Sequence, residues 1–125
     1  MTGSTPFSIE KTNNFKRSFK KIVKVYGKDF LGIVAEVLEN LIEDQYPINS
    51  RKEPLPGKIQ LPANWTFHKL EWKAGQGASG QIRLMYLVNA TECIIKPVWI
   101  YNHEQFAKRP ADKDLKSVIK EILEF

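Results

Sequence analysis

The chain has 125 residues, 19 lysines and arginines against 14 acids, and a net charge of +5. An apolar content of 42% and a charged content of 26% suit one globular domain over residues 1–125, and no apolar run reaches the ~18 residues of a membrane span. The single cysteine, Cys93, excludes a disulfide framework or a cysteine zinc site within the chain, and two distant histidines make a poor metal site.

In chain order, Phe7-Ser8-Ile9-Glu10 reads as a short opening strand. A helix is predicted from about Asn14 to Tyr26, with Phe15, Phe19, Ile22, Val23 and Tyr26 on one stripe. Gly27 suits the left-handed position that ends it. Asp29 then serves as N-cap of a second helix reaching about Asp44, whose stripe is Phe30, Val34, Val37, Leu38, Leu41 and Ile42. The short turn between them predicts an antiparallel helical hairpin. Pro47 stops the second helix, and residues 48–64 read as an ordered loop anchored by Leu55, Ile59 and Leu61.

The period then changes. Trp65–Lys73, Gln81–Val88 and Glu92–Ile100 read as three strands of an antiparallel meander. Gln81–Val88 is apolar on both sides except for Arg83, which makes it central. Pro97 cannot donate a ladder hydrogen bond, so the third strand is an edge or is bulged there. A closing helix runs from about Asp112 to Leu123. The order β-α-α-β-β-β-α defines an α+β domain with a three- to four-stranded antiparallel sheet. The helices are expected on one face, with the other face open, polar and available for binding.

Charge is segregated along the chain. Residues 11–28 hold seven bases and no acid, among them Lys16, Arg17, Lys20, Lys21 and Lys24, whereas residues 29–46 hold five acids and no base. Two solvated, complementary helix faces account for this pattern; so does a cationic face for a phosphate backbone. Gly75-Gln76-Gly77-Ala78-Ser79-Gly80 spells G-x-G-x-x-G, but a strand follows where a dinucleotide site needs a helix, so it reads as a glycine hairpin.

Arg83 stands alone among apolar neighbours, which requires either a partner such as Glu71 on the adjacent strand or an open cleft. Strand alternation puts His68, Leu70 and Trp72 on one face and Lys69, Glu71 and Lys73 on the other. His103 follows the third strand, Tyr101 is placed to stack on a base or donate a proton, Trp99 reads as core, and Lys108-Arg109 adds a basic rim. No Ser/His/Asp order and no paired-carboxylate signal is present. Attack by a ribose 2′-hydroxyl on its own phosphodiester needs a base, an acid and cations, and neither metal nor cofactor. Glu53, His103 and Arg83 supply those three roles, with Lys69 and Tyr101 assisting.

This pattern resembles the RelE/ParE superfamily of bacterial toxins from toxin–antitoxin pairs, over roughly residues 7 to 122. The order of elements is similar. Glu53-Pro54-Leu55-Pro56-Gly57-Lys58 resembles the loop before the meander, Ile82-Arg83-Leu84-Met85-Tyr86 resembles the central strand with its arginine, and Trp99 to Pro110 resembles the segment where members place catalytic residues. The chain departs from the family in Glu71, in the glycine loop and in a full C-terminal helix. The resemblance implies an endoribonuclease that cuts mRNA on the ribosome and is neutralised by a cognate antitoxin. It implies Arg83 as the transition-state cation, Glu53 as base and His103 as acid, or Lys69 in a strand-lysine variant; His68 remains a further candidate. Lys16, Arg17, Lys20, Lys21, Lys24, Lys58, Lys108 and Arg109 are the candidate RNA contacts. A gyrase inhibitor of the same superfamily and a non-catalytic RNA-binding relative are the alternatives. The opening residues carry no basic and apolar leader, so a cytoplasmic protein without membrane association is expected.

Overall fold

The computed structural model describes residues 6–74 and 80–125. The elements are β1 (Ser8–Ile9), α1 (Asn13–Tyr26), α2 (Asp29–Glu43), β2 (Ser50–Lys52), β3 (Trp65–Lys73), β4 (Gln81–Asn89), β5 (Ile94–Asn102) and α3 (Asp112–Leu123). Of the glycine motif, Gly75 to Ser79 lie outside the described residues.

The fold is α+β, and its sheet is larger than expected. Five strands run in the order β1-β5-β4-β3-β2. The meander β3-β4-β5 is antiparallel, β2 extends it at one edge, and β1 joins β5 in parallel at the other, so the sheet is mixed. The added strand, β2, lies inside the region read as a loop. Three residues are too few to show a period, and only pairing with β3 reveals them.

β1 covers only Ile94 and Ile95 of β5. Beyond them, side chains of α1 and its cap take over the strand edge. Thr12 Oγ1 donates to Pro97 O at 2.8 Å, Asn14 Nδ2 donates to Val98 O at 2.9 Å, and Ile100 N donates to Ser18 Oγ at 3.1 Å. The bulge anticipated at Pro97 is present: Met85 pairs with Trp99 and Tyr86 with Pro97, leaving Val98 as the extra residue. Thr12 also caps α1 by accepting from Phe15 N. Gly27 has φ +86°, a backbone that favours glycine, and its N–H closes the helix onto Val23 O. Asp29 is the first residue of α2 rather than its cap. The preceding turn supplies the acceptors instead, through Phe30 N to Gly27 O and Leu31 N to Lys28 O.

The helices do not share one face. Phe15 and Ile22 of α1, with Phe30, Val34 and Leu41 of α2, pack on Leu70, Leu84, Tyr86 and Val88. On the reverse face, Leu115 and Ile119 of α3 pack on Phe67, Met85, Leu87 and Val98. The expectation of an open polar face therefore fails. Met85 and Leu87 are fully buried on the side opposite Leu84 and Tyr86, and a central strand apolar on both sides needs a cover on both. α3 covers only part of that second face. Towards the C-terminal end of β3, the sheet turns from Phe67 and Met85 to Lys69, Glu71 and Arg83, and there the site lies.

Candidate functional site

Antiparallel register brings the charged residues together. Arg51 of β2 pairs with Lys69 of β3, Glu71 of β3 with Arg83 of β4, and Arg83 in turn with Tyr101 of β5. Side chains alternate along a strand, so Lys69, Glu71 and Arg83 emerge on the α3 side. Glu53, just past β2, is anchored there by Glu53 N donating to Phe67 O. The segment 103–111 returns from β5 to α3 and closes the third wall. The resulting cleft, about 660 Å³, is lined by Arg51, Lys52, Glu53, Lys69, Arg83, Lys108 and Arg109.

These residues form a ladder of alternating charge. Asp112 Oδ1 lies 2.8 Å from Arg109 Nη2, and Arg109 Nη1 lies 3.1 Å from Glu53 Oε2. Glu53 Oε1 is 3.6 Å from Lys69 Nζ, which is 3.8 Å from Glu71 Oε1. Glu71 Oε1 is in turn 3.7 Å from Arg83 Nε, and Arg51 reaches both Glu53 and Glu71. Four cations thus face three acids, and Lys52 and Lys108 on the rim add to the positive excess. A cleft so charged favours an anionic ligand.

Glu53 and Lys69 are both buried, at 6% and 5% exposure, which makes each dependent on the other. Burial holds the Lys69 ammonium below its usual lysine value, and the charge of Glu53 opposes this. An amine so placed is a proton acceptor nearer neutral pH than an exposed lysine. Glu53 has both oxygens engaged, so its geometry is that of a support for Lys69 and Arg109 rather than of a free base.

Arg83 serves the segment above it. Nη1 donates to Ala107 O at 3.0 Å and Phe106 O at 3.4 Å and faces His103 Nδ1 at 3.4 Å, while Nη2 donates to Gln81 Oε1 at 3.2 Å. Its Nε, like Trp72 Nε1, is buried without a hydrogen-bond partner among the described residues. His103 is partly exposed on the rim, and the contact with Arg83 requires Nδ1 to be its unprotonated nitrogen.

Tyr101 does not fill the stacking role expected of it. It is fully buried, donates its hydroxyl to Lys108 O at 2.9 Å, and is pushed by burial above the ordinary phenol value. Trp99, read as core, is partly buried and packs against the core cluster on the α3 side. His68 lies on the opposite face, stacked on Tyr86 and against Tyr46, with Nε2 2.7 Å from Thr66 Oγ1. β3 has no bulge to turn it into the cleft.

Among the candidate RNA contacts, Lys108 and Arg109 line the cleft. Lys16, Lys20 and Lys24 are exposed on α1 away from it, and Lys58 is exposed in the turn beside Gly57. Arg17 and Lys21 line a separate hollow beside Trp99. Sequence reasoning missed Arg51 and Lys52, whose only signal is the hidden strand, and Asp112, which reads as an ordinary helix-start acid. Among the described residues no cluster of His, Cys, Asp and Glu is arranged to hold a metal ion, and no helix is long and apolar enough to cross a membrane. No family model, no curated protein and no solved structure matches the chain.

Proposed function

We propose that the chain is a RelE-like toxin of a toxin–antitoxin pair, an endoribonuclease that cleaves mRNA by attack of the ribose 2′-hydroxyl on the adjacent phosphate. The observation that carries this reading is Lys69, a buried amine of lowered proton affinity in an open cleft lined by Arg51, Arg83 and Arg109. The order of strand, two helices, meander and final helix also supports it.

In this mechanism neutral Lys69 Nζ accepts the 2′-hydroxyl proton. The freed oxygen attacks phosphorus, the bond to the 5′-oxygen breaks, and His103, doubly protonated and released from its contact with Arg83, delivers a proton to that leaving oxygen. Arg51 and Arg109 offset the charge gathered on the phosphoryl oxygens. Glu53 holds Lys69 and Arg109 in place, and Arg83 holds the segment that carries His103. The products are a 2′,3′-cyclic phosphate and a 5′-hydroxyl end. The partners are the mRNA, the translating ribosome and an acidic or apolar antitoxin segment; the site of action is the cytoplasm.

Purified protein is incubated with RNA in EDTA, with and without ribosomes, and product ends are identified by mass spectrometry. Cyclic phosphate ends, lost in Lys69→Met, are expected. Intact RNA in both conditions, with unimpaired growth on induced expression, overturns the reading. The carboxylates of Glu53 and Glu71 beside Lys69 Nζ, which favour its charged form, support a second reading, a non-catalytic RNA-binding relative, which predicts salt-dependent binding without cleavage. DNA damage with intact mRNA on induction would instead identify a gyrase inhibitor.

A further inference from the structure

A second hollow lies across the 103–111 segment from the cleft. It measures about 160 Å³ and is lined by Asn14, Arg17 and Lys21 of α1 together with Trp99, Gln105 and Phe106. The two depressions share a wall: Phe106 lines the hollow, and the next residue, Ala107, lines the cleft. Both carbonyls of that wall are held by Arg83.

The lining combines three chemistries. Trp99 and Phe106 meet edge to face with centroids 5.8 Å apart, and Phe106 packs in the same way on buried Tyr101, so the rings are fixed in place. Two amides are also oriented. Gln105 Oε1 accepts from Asn102 N, which leaves Nε2 as a donor, and Asn14 Nδ2 donates to Val98 O, which leaves Oδ1 as an acceptor. Arg17 and Lys21 are exposed, one helical turn apart on the same face of α1, and complete a cationic rim. An aromatic ring, one amide donor, one amide acceptor and a cationic rim match a nucleobase and its phosphate better than they match a peptide.

We propose that this hollow is a base-binding subsite for a nucleotide flanking the scissile bond. The base stacks on Trp99, its edge meets the Gln105 and Asn14 amides, and the adjoining phosphate lies between Arg17 and Lys21. The subsite rests on the reading of the cleft as an RNA-cleaving site, and it makes the 103–111 segment the saddle over which the strand passes.

The test uses wild-type protein and a short single-stranded RNA with 2′-O-methyl groups, which cannot be cleaved, read by fluorescence anisotropy. Each position in turn is made abasic. One position is expected to lose about tenfold in affinity on base removal, the scale of one base–aromatic stack. Trp99→Leu should lose the same factor with the intact RNA and show no further loss with the abasic one. Gln105→Ala, at an exposed position, should weaken binding of the intact RNA more than of the abasic one. Arg17→Ala with Lys21→Ala should lower the salt slope by about 1.4, the value for two lost single-strand phosphate contacts. Lys20→Ala with Lys24→Ala, outside the hollow, should leave the abasic effect unchanged. Binding that is indifferent to base removal at every position, or RNA that does not bind, overturns the subsite. Base-dependent binding without cleavage of unmodified RNA would overturn the nuclease reading and leave the subsite standing.

Discussion

His68 permits a test of the two-faced architecture. Its ring is 6% exposed and lies between Tyr86, at a centroid distance of 5.4 Å, and Tyr46, at 5.0 Å. Burial, and then the charge of its cross-strand neighbour Lys52, lower its pKa from 6.5 to about 4. An unfolded chain therefore takes up this proton below pH 6.5, whereas the folded chain resists it until about pH 4. In that window the unfolded state binds more protons, so stability falls as pH falls. The linkage relation gives a loss of about 2 kcal/mol at pH 5 and about 3 kcal/mol at pH 4, relative to pH 7. His68→Phe keeps the ring stack and removes the proton site. Urea unfolding of both proteins at pH 7, 5 and 4 measures the difference. The wild type should lose these amounts beyond whatever the variant loses from its carboxylates. RNA cleavage at pH 7 should be unaffected, since the ring is on the face away from the cleft. An imidazole that titrates near 6.5 by NMR, or a variant with the same acid sensitivity as the wild type, would refute the burial argument. A variant that folds normally but no longer cleaves would refute the placement of the site.

Glu53→Gln leaves Lys69 buried without its carboxylate, and should cost about 3 kcal/mol by urea unfolding at pH 7. Because the opposing charge is gone, it should also shift the alkaline rise of the cleavage rate to lower pH. Arg83→Gln deprives the Phe106 and Ala107 carbonyls of their donors and should speed hydrogen exchange across residues 103–111 while β4 stays protected; unchanged exchange would assign Arg83 elsewhere. Thr12→Ala removes both the cap of α1 and the bond to Pro97 O, for an expected loss of about 2 kcal/mol in thermal unfolding. Tyr101→Phe removes one buried hydrogen bond to Lys108 O and should cost about 1 kcal/mol, with cleavage retained.

Several parts of the fold are legible in particular residues. The spacing of Phe15, Ile22 and Tyr26, and of Phe30, Val34 and Leu41, marks two amphipathic helices, and their bounds agree with α1 and α2 to within a residue. Pro97 announces the bulge because it lacks an N–H. Arg83 on an apolar strand announces an ionic partner, and Glu71 stands opposite it. Other residues carry no such mark. Ser50-Arg51-Lys52 is too short to show a period, and although residues 7–10 read as a strand, nothing in them says that Ser8 and Ile9 pair in parallel with β5. Tyr101 is fully buried and Trp99 only partly so, because the bulge and the returning 103–111 segment decide how far each ring is covered.

From the sequence alone came every element type except β2, the α+β class and the strands that bear Lys69, Glu71 and Arg83, because period, proline and glycine act through local backbone geometry. Tertiary structure decided which faces are covered and which charges meet. α3 crosses to the second face because Met85 and Leu87 must be buried there. Strand register sets Glu53, Lys69, Glu71 and Arg83 in one ladder and turns His68 away, and register depends on how distant segments pair rather than on any one of them.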